Sequence, residues 1–597
     1  MKYIHFLVLS SILAFPACKT RPPDTSETNI LNISTTPAPK TGMVASANPH
    51  ATKAGLEILR AGGSAVDAAI AIQTTLGLVE PQSSGLGGGA FMIVYDPETA
   101  SIVTYDGRET APAGVTPDMF LNPDTGEPLR YFDGITSGRS TGVPGAMVML
   151  HAAHNDHGKL DWSASFEPAI KLADDGFKVS PRLASLVARF GRFGLINDPD
   201  ARDYFFLEDG SPVPEDFLRD NPAYANTLRA LQANPRALLE GPIAEAIIAK
   251  TRREPLPGTM TLDDMATYQP FKKQAVCSTY RAHTVCGPRP PSSGGIAVQA
   301  TLGILENFDM AKLGPTIQGW HHFIEASFLA YADRDRYVAD EDFVDVPIAA
   351  MLDKDYLKSR AALISTDKAI PRVTAGTPAK FPGRGTDATP DAPGTSHFTV
   401  VDSNGLTVSM TTTIEGIFGS QRMTNGFMLN NQLTDFSFRV VDNQGRLIAN
   451  APAPGKRPRS SMSPHIIFDP DGKLLFTTGS PGGNAIIAYT SKSIIGIIDW
   501  GLSPQEAIEL PNVIARNGSV RMEASGLGNE DTNESVRTGP AAEFGMSPDV
   551  VAGLEALRHE VVKSRGEISG LHIIYRNRDG TLIGGADPRR EGTAEKQ

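Results

Sequence analysis

Apolar residues recur at helical spacing through the first part of this chain and alternate with polar ones later on. Between Met43 and Glu80, the positions Ala51, Ala54, Leu56, Ile58 and Leu59, then Ala65 to Leu78, follow a period near 3.6, which predicts a helical stretch. The Ala-Gly-Gly-Ser at 61–64 stops one helix and caps the next. The same spacing predicts helices at 145–157, 163–175, 222–233, 242–250 and 317–339.

Strand alternation dominates the second half. His397 to Thr413 alternates around Asp402-Ser403-Asn404-Gly405, Pro464 to Ser480 around Asp469-Pro470-Asp471-Gly472, and Leu571 to Ile583 around Asn577-Arg578-Asp579-Gly580. An earlier copy runs from Ala90 to Tyr105, turning at 96–99. Hairpins among helices predict an α+β fold of stacked antiparallel sheets covered by helices. A two-residue loop at Asn404-Gly405 pairs Ser403 with Leu406 and sets Ser396 opposite Thr413. A slip of one still leaves 411–415 beside Thr395. Counting along the next hairpin sets Ser461 near Ser480 and the following Pro481-Gly482-Gly483.

Those strand ends collect reactive groups. Thr395 offers a hydroxyl after the flexible Gly394, but a lone threonine is inert without a base. Cleavage before Thr395 would free an α-amine with a pKa near neutrality, able to take the hydroxyl proton. Gly482 and Gly483 can aim consecutive N–H groups at an oxyanion. Arg108, ending the early hairpin, can clamp a carboxylate, and Glu415 and Asp435 can hold an ammonium.

Composition narrows the setting. The chain has 597 residues, 41% hydrophobic and 20% charged, which is ordinary globular usage. A net charge of -12 argues against a nucleic-acid partner. Lys2 and the apolar run from Ile4 to Ala14 read as a signal peptide over 1–17, and Ala17-Cys18 resembles a lipoprotein junction with Cys18 as the lipid anchor. Residues 18–41 read as a flexible tether. The mature protein is expected in the periplasm or cell envelope. There, a tight turn at Arg281-Ala282 would set Cys277 opposite Cys286 for a disulfide.

Several motifs together resemble the gamma-glutamyltransferase (gamma-glutamyltranspeptidase) family. They are Pro81 to Gly89, Asp106 to Pro112, Pro290 to Gly295, Gly394 to Asp402, Thr411 to Glu415, Leu429 to Phe436, Lys456 to Met462, Gly479 to Gly483 and Gly585 to Arg589. The resemblance runs in order from about Gly42 to Arg590. It implies an N-terminal-nucleophile hydrolase, an αββα four-layer sandwich, made as a precursor that cuts itself between Gly394 and Thr395. The products would be a large subunit, 42–394, and a small catalytic one, 395–597. By the same resemblance Thr395 is the nucleophile, oriented by Thr413, with Gly482 and Gly483 as the oxyanion hole. Arg108, Ser460 and Ser461 would hold the substrate carboxylate, and Glu415, Gln432 and Asp435 the amine. The implied donors are glutathione and other gamma-glutamyl compounds, the acceptors amino acids, peptides or water, and no cofactor is called for. Some members carry Asn where this chain has Glu415, and the loop between Asp435 and Ser460 is of intermediate length for a lid.

Other readings fit less well. Gly138-Arg-Ser140-Thr-Gly142 matches a nucleophile elbow but lacks the strand before it and the helix directly after. Gly85 to Ala90 half-matches a dinucleotide fingerprint without a preceding buried strand. His151, His154 and His157 have helical spacing but no supporting carboxylate motif, so no metal is expected. The acidic run from Asp333 to Asp342, interleaved with Arg334 and Arg336, reads as a surface ion-pair network. A related acylase, or an exported amino-acid-binding lipoprotein using Arg108 and Asp435 without catalysis, are the alternatives.

Overall fold

The first predicted helical stretch splits into three elements in a computed structural model of the chain, which describes residues 33–381, 383–389, 394–525, 544–564 and 569–597. It opens with a strand, β1 (Met43–Ser46), followed by helices α1 (Pro49–Arg60) and α2 (Ala65–Val79). A run as short as Met-Val-Ala-Ser carries no usable period, and pairing on both sides makes it a strand. Asn48 caps α1 ahead of Pro49, and a reciprocal Ser64–Asp67 capping box opens α2. The other predicted helices form as Ala146–His157, Glu167–Asp175, Pro222–Ala233, Gly241–Thr251 and Ile317–Tyr337.

The signal peptide, Cys18 and the tether as far as residue 32 lie outside the described residues. The end of that tether is docked rather than free. Ser34 donates its N–H to the Gly472 carbonyl at 2.8 Å, and the Thr36 hydroxyl accepts from the Leu474 N–H at 2.9 Å.

Twelve further strands complete two sheets. The chain before Gly394 supplies β2 (Gly89–Asp96), β3 (Ser101–Asp106), β4 (Phe271–Gln274), β5 (Val276–Tyr280) and β6 (His283–Gly287). The remainder supplies β7 (Gly394–Val401), β8 (Thr407–Glu415), β9 (His465–Phe468), β10 (Leu474–Gly479), β11 (His572–Arg576), β12 (Leu582–Ala586) and β13 (Thr593–Lys596). One sheet runs β13-β1-β7-β8-β2-β3-β4, the other β12-β11-β10-β9-β6-β5, all antiparallel.

Three apolar layers stack these sheets. Val44, Met92, Val94, Phe398, Val400 and Met410 face α1 and α2. The opposite face of that sheet, with Ala45, Ile93, Tyr95 and Val401, meets Ile466, Phe468 and Ile574 of the second. Ile467, Phe476 and Ile573 then pack on α3 (Gly294–Leu305), α4 (Ile317–Tyr337) and α5 (Ile486–Ile498). Each such buried side chain contributes about 1.5–3 kcal/mol. The layer order is αββα.

Two turns set the register near the expected site. The Cys hairpin turns on Arg281 and Ala282, both at positive φ (51° and 71°), as a two-residue mirror-image turn requires. Tyr280 therefore faces His283, and Cys277 faces Cys286 in a disulfide. The Asn404-Gly405 loop is one residue longer than counted. Asp402 pairs with Leu406, its carboxylate accepts the N–H groups of Asn404 and Leu406, and Gly405 takes φ 89°. That added residue shifts the ladder by one, so Thr413 faces Thr395, not Ser396.

Candidate active site

Side chains on β7 alternate between the two faces of its sheet, so Thr395, His397 and Thr399 point toward the second sheet. His397 stacks on His572 of β11, and Thr399 donates to the Thr477 hydroxyl of β10 at 2.7 Å. Thr395 opens on the end of this inter-sheet seam, where the turn after β10 arrives. There it shares a cavity of about 20 Å³ with Arg108, Thr413, Glu415, Gln432, Asp435, Ser460, Ser461 and Gly483. That is room for about one water. Gly482, next to Gly483, takes φ 140°, and a Cβ there would stand 2.6 Å from the Tyr489 ring.

The junction between Gly394 and Thr395 is tightly bound. Thr413 donates its hydroxyl to the Gly394 carbonyl at 2.6 Å and lies 3.2 Å from the Thr395 hydroxyl. A bulge displaces the ladder between Thr413 and Glu415, so Glu415 faces Gly394 directly. Glu415 pays for this with a left-handed backbone, φ 77°, and donates its N–H back to the Thr413 oxygen at 2.8 Å. A Cβ at Gly394 would stand 2.2 Å from the Gly416 carbonyl oxygen and 2.4 Å from that of Glu415. Glycine is required there by close approach.

Opposite charges meet in the cavity wall. Arg108 is 1% exposed and donates from Nε to the Pro458 carbonyl at 3.0 Å and from Nη2 to the Arg459 carbonyl at 2.8 Å. The same Nη2 pairs directly with Asp435. Asp435 also accepts from Gln432 Nε2 at 2.7 Å, because the 3₁₀ turn Gln432–Asp435 puts the two on one side. Glu415 accepts from the Tyr131 hydroxyl at 3.0 Å and from Asn431 Nδ2. Ser460 anchors the rim, its N–H on the Pro291 carbonyl and its own carbonyl accepting from Ser293. Ser461 receives a hydrogen bond from Arg334 at 2.6 Å.

All the site residues expected from sequence therefore gather at one place, with Gly394 and Gly482 flanking it. Sequence reasoning missed several supports. Tyr131 and Asn431 orient Glu415, while Arg590 donates from Nη1 to the Thr395 carbonyl at 2.7 Å. Nothing in residue type or spacing distinguishes these from ordinary polar positions. Arg334 was assigned to a surface network, yet it is 1% exposed and Asp335 4%. Burial pushes the Asp335 carboxyl up, but Arg516, Arg334 and Arg459 outweigh it and hold it at about 2. The fault lay in reading charge density as exposure, since complementary charges also neutralise one another in the interior.

The discounted motifs stay separate from this cavity. Ser140 lies in a short 3₁₀ turn with its hydroxyl on the Ile135 and Ser137 carbonyls. His154 bonds the Leu160 carbonyl and His157 the Tyr105 hydroxyl. In another buried group, His321, Glu325 and His559, the two imidazoles are hydrogen-bonded with ring nitrogens 2.7 Å apart, and Glu325 Oε1 stands 3.8 Å from His559 Nδ1. Two nitrogens on one tetrahedral zinc would stand about 3.3 Å apart. The loop after Asp435 folds onto the protein, Phe438 stacking on Phe120 at 4.4 Å.

Relatives match this chain over most of their length. The sequence pattern described as Gamma-glutamyltranspeptidase matches residues 51–596. The chain is 36% identical to the glutathione hydrolase proenzyme of Escherichia coli, over 92% of this chain and 90% of that protein. It is 34% identical to the glutathione hydrolase proenzyme of Bacillus subtilis, over 93% and 91%. Its fold is similar to the crystal structure of a cephalosporin acylase from Bacillus halodurans, with a TM-score of 0.77 at 25% identity, covering 98% of this chain and 99% of that one. With an αββα core, a threonine at the head of its seam strand and a family pattern spanning both sheets, the chain belongs to the gamma-glutamyltranspeptidase family.

Proposed function

We propose that the protein is a self-processing gamma-glutamyltransferase and glutathione hydrolase whose nucleophile is Thr395. The observation that carries this is the placing of Thr395 in one cavity with a cation, Arg108, and two carboxylates, Glu415 and Asp435. A gamma-glutamyl group has a carboxylate and an ammonium on one carbon, and its acyl carbon lies three bonds away. The site matches that layout.

In the uncut chain the Thr395 hydroxyl attacks the Gly394 carbonyl, and the oxyanion forms where Thr413 donates. Collapse expels the Thr395 nitrogen, which takes the hydroxyl proton and leaves Gly394 esterified to the Thr395 oxygen. Water then hydrolyses the ester, giving a Gly394 carboxylate and a free α-amine. That amine serves as base when Thr395 attacks a gamma-glutamyl carbonyl, with Gly482 and Gly483 holding the oxyanion. The leaving amine departs with a proton, and an amino acid, a peptide or water takes the acyl group. Substrate binding separates Arg108 from Asp435, each charge exchanging its partner for the substrate's. Ser460 and Ser461 assist at the carboxylate, Gln432 at the amine.

Thr395→Ala tests the reading. The variant should stay as one chain and release no aniline from a gamma-glutamyl anilide, whereas the parent splits at 394/395. A variant that still splits or turns over refutes it. An acylase acting on a side chain without an ammonium is the competing outcome, and the paired carboxylates Glu415 and Asp435 weigh against it. Export to the cell envelope, with Cys18 lipidated, is proposed from the N-terminal pattern and supported by the Cys277–Cys286 bond. Cell fractionation of the parent and of Cys18→Ala tests it, and a wholly cytoplasmic protein would refute it.

A further inference from the structure

Strand β7 is gripped at Thr395 and Ser396 by buried charged groups from distant parts of the chain. Arg590 Nη1 donates to the Thr395 carbonyl at 2.7 Å. Glu80, at the end of α2, accepts from the Ser396 hydroxyl at 2.9 Å and pairs with Arg182 at 3.2 Å. Arg590 is 7% exposed and sits in the turn between β12 and β13, its N–H on the Asp587 carbonyl. The surroundings are shaped to it, since a Cβ at Gly570 would come within 2.8 Å of its Cδ. A buried guanidinium is costly to maintain without a partner that uses its charge.

We propose that Arg590 is a positioning residue for the nucleophile, an inference that rests on the assignment of Thr395 above. Before the cut it fixes the Thr395 carbonyl; after the cut its charge keeps the new α-amine neutral, and so able to accept the hydroxyl proton. Within one residue the nitrogen and carbonyl oxygen are joined through three bonds, so the guanidinium lies within about 6 Å of the amine. A cation at that range in a buried site disfavours a second positive charge.

Other charges bear on the same amine. Glu415 and Asp435, lining the same cavity, favour its protonation, though Asp435 is paired with Arg108, which opposes it. Asp587 and Glu80 face Arg590 as counter-charges, each with a second arginine, Arg589 and Arg182. Tyr489 also faces it. His572 is held neutral, pushed down to about 4 by burial, and burial likewise pushes His397 well down. Burial brings Arg590 itself down to about 9, which leaves it charged at neutral pH.

The test compares the parent precursor with Arg590→Gln and Arg590→Lys, reading the cut by N-terminal sequencing and kcat/KM of the anilide from pH 5 to 10. The acid limb of that profile reports the free amine. Arg590→Gln should cut more slowly, and its acid limb should move up by about one pH unit, with about a tenfold loss at pH 6 that recovers at high pH. Arg590→Lys keeps the charge, so its limb should stay with the parent's. The proposal is overturned if the Gln limb coincides with the parent's. If Arg590→Gln stays uncut, the Lys variant decides, and a limb raised by a full unit there overturns it. A parent that cuts elsewhere than 394/395 refutes the Thr395 assignment instead.

Discussion

The hydroxyl of Thr413 donates to the carbonyl oxygen of Gly394 while standing 3.2 Å from the hydroxyl of Thr395. A threonine hydroxyl has one proton, and this one is committed to the carbonyl. The Thr413 oxygen, which also accepts from the Glu415 N–H, must therefore accept from Thr395. On the proposed assignment of Thr395, Thr413 aims the nucleophile and polarises the Gly394 carbonyl with the same group. Thr413→Ala should slow self-cleavage by about 10²-fold, the usual effect of losing an oxyanion donor, and Thr413→Ser should largely restore it. An electrophoretic time course on purified precursor reads both, and equal rates for Ala and parent would refute the role.

Gly394→Ala introduces a methyl group where the carbonyl oxygens of Glu415 and Gly416 leave no space. The bulge must open to admit it, taking the Gly394 carbonyl off the Thr413 hydroxyl. We expect the variant to fold and remain largely uncut over the hours in which the parent matures. Processing at the parent rate would show that the bulge is soft.

Arg108→Lys tests carboxylate recognition without removing charge. An ammonium cannot reproduce donation from both Nε and Nη2 to Pro458 and Arg459 while also meeting a carboxylate. Processing should survive, and kcat/KM for the anilide should fall by about 10²-fold, toward the low end of the ~2–5 kcal/mol cost of breaking a buried charge contact. A Lys variant with the parent's kcat/KM would place the substrate carboxylate elsewhere.

Glu109 gives the stability a pH dependence of known sign. Burial is the main cause of its carboxyl being raised from 4.5 to about 8; Arg108 opposes the shift, and Asp435 and Asp106 add to it. Both of its oxygens lack hydrogen-bond partners. The folded state therefore holds a proton that the unfolded chain loses near pH 4.5. The associated stability is complete below that pH and is lost as pH rises toward 8, by on the order of 5 kcal/mol. Glu109→Gln mimics the protonated form, so the fall in Tm between pH 5 and 9 should be smaller than in the parent. Parallel falls would show that Glu109 is ionised throughout.

Much of the site was legible because catalysis here depends on residues clustered at hairpin ends, where a turn residue fixes what lies opposite. The Arg281-Ala282 turn placed Cys277 against Cys286 correctly. The Asn404-Gly405 turn was read one residue short because an Asp402 side chain, not the loop sequence, sets its length. Short strands such as Met43–Ser46 and buried supports such as Arg334 and Arg590 were not legible. Their identity comes from partners more than a hundred residues away, and no local period records that.

In the first sheet, strands from the two sides of the Gly394 junction alternate, β13 beside β1, β1 beside β7, and β8 beside β2. The proposed cut after Gly394 would leave every one of these ladders in place, so the two products would stay woven together without a covalent link. What changes is the way back from the unfolded state. The uncut chain would refold at a rate independent of concentration, whereas the cut protein would have to bring two strangers together before either sheet could close. Such a cut would give a fold whose lifetime rests on its barrier to unfolding.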